Sequence, residues 1–314
     1  MEAPWSTWDE SWRLRSTPPN RGGRVLHYLW SLSDKSVVSY TNHLIRSLYE
    51  WEHHVILSDG YALQGEAKNP LLRAGATPCL CQDTSAVAHV AALQPTVVVL
   101  HSWENRHTLP SAVSAPGPRY IVVYYSTAPQ WVAGMYRHVC VNPAIYAGLR
   151  SEIKQRSLVI PHSINPLDYP QDKLAQDDPG RSAPCSVVFY GMPPPTDLGG
   201  GFALSAPPIE AGNMGLRWND CAVCRNAAIP TVLELMASAT PIISEDEDDA
   251  AGLVEDGVTG FLTPRNDEQQ LRDKLLWLRD NPKEMRAMGQ AARAKCLREN
   301  GLVTFRQQWL GVVK

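Results

Sequence analysis

The stretch 226–264 constrains the fold of this chain more than any other part of the sequence. Apolar residues recur at helical spacing between Pro230 and Ala239, and a proline suits the first turn of a helix. Ile242-Ile243 predicts a short buried strand, and Gly260–Thr263 predicts another, with an acidic turn and a short helix between them. Alternating strands and helices build a parallel α/β sheet, whose ligands bind at the carboxyl ends of the strands.

Glu234 is the one charged residue in the first of these helices, about one turn after its start. Free N–H groups at a helix N-terminus favour anions, so a ligand held there would lie within reach of Glu234. The alternative is that Glu234 is an ordinary solvated helix residue.

Three segments of this stretch carry a family pattern in order and spacing. They are Glu234-Leu235-Met236-Ala237, Pro241-Ile242-Ile243 and 254–262, which reads VEDGVTGFL. The pattern resembles the C-terminal domain of glycosyltransferase family four, whose members are retaining enzymes of the GT-B fold. The resemblance implies two Rossmann-like domains that face a cleft, and it assigns Glu234 to the nucleotide ribose. An earlier glutamate of the family falls on Asn226, which can hydrogen-bond a sugar hydroxyl but is not an anion.

The composition excludes several classes of protein. The chain has 314 residues, enough for two domains, and 19% of them are charged, with a net charge of −3. This balance indicates neither disorder nor a basic nucleic-acid surface. No apolar run is long enough for a membrane span, and the N-terminus lacks a secretory signal. Seven cysteines in irregular places predict a reducing, cytoplasmic location.

The first half of the chain predicts one Rossmann-like domain. Apolar and β-branched runs predict strands at 24–30, 54–58, 94–103, 119–125, 138–141 and 158–161, and a helical stripe runs from Tyr40 to Trp51. In the family a strand similar to 94–103 often ends in histidines that face the cleft, so the resemblance places His101 beside the sugar and makes it, with Asn226, a candidate catalytic residue. It places Thr127 where the family commonly has a histidine. The alternative for His101 is a buried histidine with its hydrogen bonds satisfied.

The domain organisation follows from these patterns and from the resemblance. The predicted parts are an arm at 1–20, an acceptor-side domain at 21–164, a linker at 165–184 rich in Pro and Asp, a nucleotide-sugar domain at 185–290, and C-terminal helices at 291–314 that cross back to the first domain. The second domain is shortened, because residues 192–217 hold one fair strand candidate where the family has further βα units.

The phosphate-binding part of the second domain departs from the family. In the family, an arginine and a lysine neutralise the donor diphosphate. In this chain, Met192 takes the place of the arginine and Gly200 takes the place of the lysine. The resemblance leaves Gly191, Gly200, Thr231 and the helix N-terminus for the phosphates, and Arg225 is the nearest cation that would substitute for the missing pair. Residues 199–201 form either a nest of backbone N–H groups or a flexible loop.

Two further motifs leave alternatives open. The CAVC sequence at 221–224 is either a core strand, with its two cysteines on opposite faces, or a weak zinc candidate. The acidic run 245–249 is either an exposed helix start, a site for a divalent cation or a surface for a cationic acceptor.

The leading interpretation is a glycosyltransferase that moves a sugar from a nucleotide-sugar donor to an unidentified acceptor with retention. No cofactor is expected, since the family generally needs no metal, although a divalent metal stays possible at the acidic run. The departures at Met192, Gly200, Asn226 and Thr127 favour a second hypothesis, a glycosyltransferase-like protein that has lost transfer and serves as a binding or partner subunit. Three further alternatives stay open: the protein forms a homo-oligomer, it is a compact enzyme with an unusual donor, or its acceptor is a nucleic acid. The sequence has no basic patch to support a nucleic-acid acceptor.

Overall fold

The chain forms two compact α/β units in a computed structural model. The structure describes residues 22–29, 34–57, 71, 74–79, 86–101, 117–125, 135–165, 168–169, 185–190, 194, 198, 200–205 and 220–314. Unit 1 comprises Met1–His162 with Phe305–Lys314, and unit 2 comprises Ser163–Thr304. The predicted domain boundaries stay predictions, and the structure adds that residues 305–314 group with unit 1.

Unit 1 contains a parallel sheet of seven strands with the order β3-β2-β1-β4-β5-β6-β7. The strands are β1 (Arg24–Leu29), β2 (Glu52–Leu57), β3 (Thr77–Cys79), β4 (Val97–His101), β5 (Arg119–Tyr124), β6 (Arg137–Cys140) and β7 (Ser157–Val159); the helices among them are α1 (Lys35–Ser47), α2 (Ala86–Leu93), α3 (Pro143–Gly148) and α4 (Ser151–Lys154). The central strands are buried along nearly their whole length, as expected for a sheet with helices on both faces.

Unit 2 contains a parallel sheet of five strands with the order β12-β11-β10-β8-β9. The strands are β8 (Cys185–Tyr190), β9 (Phe202–Ser205), β10 (Cys221–Cys224), β11 (Ile242–Glu245) and β12 (Gly260–Thr263); the helices are α5 (Ile229–Ala237), a 3₁₀ turn (Asp249–Leu253), α6 (Glu268–Asp280) and α7 (Pro282–Asn300). The two strands predicted around the acidic run are confirmed, and the short helix between them is a 3₁₀ turn.

The CAVC sequence is a core strand, as one of its two interpretations predicted. Cys224 and Ala222 pack with α5 and α7 on one face of the sheet, whereas Cys221 and Val223 pack with α6 on the other. All four residues are buried, and both thiols are free. Among the described residues, no group of His, Cys, Asp or Glu side chains is arranged to hold a metal ion.

The last helix, α8 (Leu302–Val313), supplies part of the core of unit 1. Trp309 is fully buried, and its indole Nε1 donates to the Tyr40 hydroxyl at 3.2 Å. Phe305 lies edge-on to Tyr40 with 5.1 Å between the ring centroids, and Tyr40 donates to the Ile160 carbonyl at 3.0 Å. The chain thus returns to unit 1 for its last ten residues. In the part of the chain that the structure describes, no helix combines the length and apolarity of a membrane span.

Replacement of Gly289 by alanine is expected to destabilise unit 2. A Cβ at this position of α7 would lie 2.0 Å from the Ala239 carbonyl oxygen, which belongs to the backbone just after α5. Because the two helices cannot separate without loosening the core between them, we expect a loss of about 1–3 kcal/mol. Gly311 is the matched control, since a Cβ there meets nothing within 4 Å. Gly311→Ala should be neutral or slightly stabilising in urea denaturation, and equal effects of the two changes would contradict this packing.

Candidate functional site

The carboxyl ends of β8 and β10 lie side by side in unit 2. Tyr190 pairs with Cys224 at the ends of the two strands, and the backbone N–H of Arg225 donates to the Tyr190 carbonyl at 3.0 Å. The chain then passes through residues 226–228 into α5. This edge is the place where parallel α/β sheets bind their ligands, and most of the described site residues predicted from the sequence meet here.

Arg225 is held between two carboxylates at this edge. Its Nε lies 2.8 Å from the buried Glu245 Oε1, and its Nη1 lies 2.7 Å from Glu268 Oε1. Glu245 Oε1 also accepts from the backbone N–H of Asn266 at 2.9 Å. The positive charge of Arg225 is therefore already matched by two negative charges, which the sequence-based prediction did not anticipate.

Asn226 follows in a left-handed backbone conformation, with φ of +50°. Asparagine tolerates this region better than most residues do. Its backbone N–H donates to Asp248 Oδ2 at 3.0 Å, and the residue is exposed to solvent. Asn226 is thus fixed through its backbone, and its amide side chain remains available to a ligand.

The N-terminus of α5 has no side-chain cap. The N-cap residue is Ala228, and Pro230 occupies the first turn. Thr231 and Glu234 are both half-buried, and their spacing of three residues places them on one face of the helix. Pro230 has no backbone N–H, and the Thr231 N–H donates to the Ala228 carbonyl at 2.9 Å, so the N–H of Ile229 and the Thr231 hydroxyl are the donors that this first turn offers to an anion.

Tyr190 is a site residue that sequence reasoning missed. Burial raises the pKa of its phenol to about 12, with smaller contributions from Cys224 and from the nearby carboxylate of Glu234. Glu234 also helps to raise the pKa of Tyr169, whose phenol is raised chiefly by burial. Both tyrosines thus remain neutral hydrogen-bonding groups beside Glu234. The available signal was that Tyr190 ends a predicted strand directly before a glycine.

Gly200 lies at the opposite end of the strands, beside the amino ends of β8 and β9. Gly201 precedes β9, and its carbonyl accepts from the N–H of Cys185, the first residue of β8. Since β8 runs from Cys185 to Tyr190, about 16 Å separates this edge from the Tyr190 edge. The Gly200 carbonyl accepts from Arg279 at 2.9 Å, as a structural turn would. The phosphate-binding role predicted for Gly200 does not fit this position.

The acidic run 245–249 is largely engaged in local structure. Glu245 pairs with Arg225, Glu247 lies 3.4 Å from Arg265, and Asp248 accepts from Asn226. Asp249 stands in the first turn of the 3₁₀ helix, as the helix-start alternative predicted. Burial is the main cause that raises the pKa of Asp248.

His101 lies in unit 1 and is fully buried. Its Nε2 is 3.2 Å from His27 Nδ1, and its Nδ1 is 3.0 Å from the Tyr125 hydroxyl. His27 Nε2 lies 2.9 Å from His53 Nδ1, and His53 Nε2 lies 3.0 Å from the Leu48 carbonyl. We call His53, His27 and His101 the histidine chain. His101 is therefore a buried residue with both ring nitrogens hydrogen-bonded, as its alternative interpretation held.

The histidine chain has one consistent arrangement of protons. A carbonyl only accepts, so His53 carries its proton on Nε2 and accepts on Nδ1 from His27. By the same rule His27 accepts from His101, which accepts in turn from the Tyr125 hydroxyl. Burial lowers the pKa of His53 to about 4, that of His101 to about 3 and that of His27 well below its ordinary value. All three rings are neutral at physiological pH.

Four predicted positions lie outside the described residues: Gly191, Thr127, Met192 and Gly199 of the predicted nest. The same holds for the arm at 1–20 and for most of the linker at 165–184.

Comparison with known proteins agrees with this architecture. Residues 229–295 match the family model described as glycosyl transferases group 1. The chain is similar to a glycosyltransferase from Rickettsia africae ESF-5 (TM-score 0.70, 12% identity, 94% of this chain and 98% of that chain covered). It is also similar to HepE from Anabaena in complex with UDP-glucose (0.64, 12%, 93% and 99%) and to sucrose-phosphate synthase from Thermosynechococcus elongatus (0.59, 12%, 92% and 98%). A comparison with curated protein sequences gives no significant match. The chain therefore has the α/β fold of the GT-B glycosyltransferases, and residues 229–295 carry the group 1 domain pattern.

Proposed function

We propose that the protein transfers a sugar from a nucleotide-sugar donor to an acceptor with retention of configuration. The observation that carries the proposal is the edge formed by Tyr190, Arg225 and the uncapped start of α5, inside the unit that holds the group 1 match. A structural neighbour was solved with UDP-glucose, which supports the choice of a nucleotide-sugar as ligand.

Each residue of this edge has a proposed role. Glu234 binds the ribose hydroxyls, as the family resemblance implies, and Tyr190 hydrogen-bonds the nucleotide. Thr231, the α5 N-terminus and Gly191 meet the phosphates, and Asn226 binds a sugar hydroxyl. The role that the resemblance implies for Thr127 stays a prediction, because Thr127 lies outside the described residues. His101 is left out of the ligand contacts because it is fully buried.

The chemistry requires positive charge at the leaving group. Cleavage of the sugar–phosphate bond leaves the bonding electrons on the phosphate oxygen, and donors aimed at that oxygen lower the barrier. The helix N-terminus supplies partial positive charge, and Arg225 supplies a full positive charge at this edge. The proposal includes no metal cofactor.

One observation favours the second candidate function, a binding or partner subunit without transfer activity. Arg225 is paired with Glu245 and Glu268, so its charge is compensated before any donor arrives. A protein in this state would bind a nucleotide and stabilise the leaving phosphate poorly.

Thermal stabilisation by nucleotides and nucleotide sugars tests the donor site. At one hundred times its dissociation constant, a ligand of the folded state should add about 2.7 kcal/mol to stability. Glu234→Ala should remove this gain for the correct ligand. Glu284→Ala, which removes an exposed carboxylate from α7, should retain it.

The other outcomes of this experiment separate the hypotheses. Stabilisation that survives in Glu234→Ala would move the donor away from α5. Stabilisation only with magnesium would assign a metal to the acidic run. No stabilisation with any nucleotide would overturn the proposed donor site.

A further inference from the structure

The two carboxylates that hold Arg225 differ in their surroundings. The Glu245 side chain is 5% exposed, and its Oε1 accepts from both Arg225 and the Asn266 backbone. The Glu268 side chain is 53% exposed and stands at the first position of α6. Glu245 is thus held in place by two hydrogen bonds in a buried position. Glu268 faces solvent, so water can replace Arg225 as its partner.

The Arg225 guanidinium is not fully used. Its side chain is 10% exposed, and Nη2 is buried without a hydrogen-bond partner among the described residues. Buried polar atoms are nearly always paired in folded proteins, and a charged group left short of a partner costs free energy. Nη1 and Nη2 form the outer side of the guanidinium, which fits two oxygens of a phosphate group at once.

We propose that Glu268 is a built-in competitor for the donor diphosphate at Arg225. In the free protein Glu268 occupies Nη1, and in the bound protein a phosphate oxygen pair takes Nη1 and Nη2 while Glu245 keeps Nε. This inference rests on the proposed function, because it assigns the phosphate-binding cation of that same site and the contact that regulates it.

The exchange improves the hydrogen bonding of the Arg225 guanidinium. The diphosphate replaces one carboxylate at Nη1 and also satisfies the buried Nη2, so the bound form has the better hydrogen bonding. The released Glu268 carboxylate returns to water at the N-terminus of α6, where the helix dipole favours a negative charge. Because the Glu268 carboxylate is half exposed to water, its attraction to Arg225 is screened, so Glu268 tunes the affinity without blocking the site.

The test compares Glu268→Gln with a matched control, Asp273→Asn. Both changes remove one exposed negative charge from α6, but Asp273 is paired with Gln269 on the same helix. Binding of pyrophosphate, UDP, GDP and ADP is measured by calorimetry. We expect Glu268→Gln to bind the correct nucleoside diphosphate about 3- to 10-fold more tightly than the wild type, and Asp273→Asn to bind within about 2-fold of it.

A second variant shows whether Glu268 acts through Arg225. Lysine keeps the charge but lacks the bidentate guanidinium, so Arg225→Lys should bind more weakly. The gain from Glu268→Gln should largely disappear in the Arg225→Lys background.

The measurements distinguish a failure of the competitor role of Glu268 from a failure of the proposed donor site. Equal binding by the wild type, Glu268→Gln and Asp273→Asn overturns the competitor role and leaves the donor site standing. An undiminished gain in the Arg225→Lys background also overturns it. If none of the variants binds any nucleoside diphosphate or pyrophosphate, the donor site itself is wrong and the competitor role falls with it.

Discussion

Acidification from pH 7 to pH 5 is expected to unfold much of the protein. Burial lowers the pKa values of six histidines: the three rings of the histidine chain in unit 1, His43 and His138 (both to about 4) and His162 (to about 3). In the folded state these rings stay neutral, whereas in the unfolded state they take up protons near pH 6.5.

The direction of the pH effect on stability follows from the number of protons that the folded and unfolded states bind. Between the folded and unfolded pKa values the unfolded state binds more protons, so stability rises with pH in that window. The contribution is complete above pH 6.5 and is lost as the pH falls toward 4. Each histidine costs about 1 kcal/mol between pH 6.5 and pH 5.5, because the unfolded ring is already half protonated at pH 6.5, so the six together remove about 6 kcal/mol over that range. Typical total stabilities are about 5–15 kcal/mol.

Urea denaturation at a series of pH values checks this expectation. His162→Phe is the informative variant, because its ring meets Tyr40 edge-on at 5.2 Å and phenylalanine preserves an aromatic contact. Removing one titrating ring should reduce the slope of stability against pH by about one sixth of the combined histidine effect. A wild-type stability that is flat between pH 7 and pH 5 would contradict the neutral, buried state of these rings.

Trp309→Ala is expected to cost about 3–5 kcal/mol, since it removes a fully buried indole from unit 1. The change also removes the hydrogen bond from Nε1 to the Tyr40 hydroxyl, which links α8 to α1. The midpoint of urea denaturation should fall accordingly.

Val303→Ala is the matched control for this helix. Val303 is 71% exposed, so its truncation should change stability by less than about 0.5 kcal/mol. A loss of under 1 kcal/mol for Trp309→Ala would show that α8 is not part of the core of unit 1.

Local signals predicted the elements around α5 well. The helical spacing from Pro230, the buried pair Ile242-Ile243 and the Gly260–Thr263 strand each depend on neighbours in the sequence, and all three appear in the structure. The α/β class followed from their alternation. In contrast, β3 and α2 escaped prediction because short segments carry a weak periodic signal.

The contacts of the site residues could not be predicted, because they depend on the order of the strands in the sheet, and local sequence patterns do not contain that order. Gly200 falls at the wrong edge because it precedes β9, and His101 meets His27 because β1 and β4 are neighbours. Histidines on three adjacent strands were visible in the sequence, but their contact required the order β2-β1-β4. The pairing of Arg225 with Glu268 likewise joins residues far apart in the chain.

Release of nucleoside diphosphate from nucleotide sugars tests the central claim most directly. The purified protein is incubated with a panel of nucleotide sugars, with water or simple sugars as acceptor, and the anomer of the product is determined by NMR. The account predicts release from one nucleotide class, a product that retains the donor configuration, and loss of release in Glu234→Ala. Tight binding without any release would contradict transfer and identify a binding subunit, and a product of inverted configuration would contradict retention.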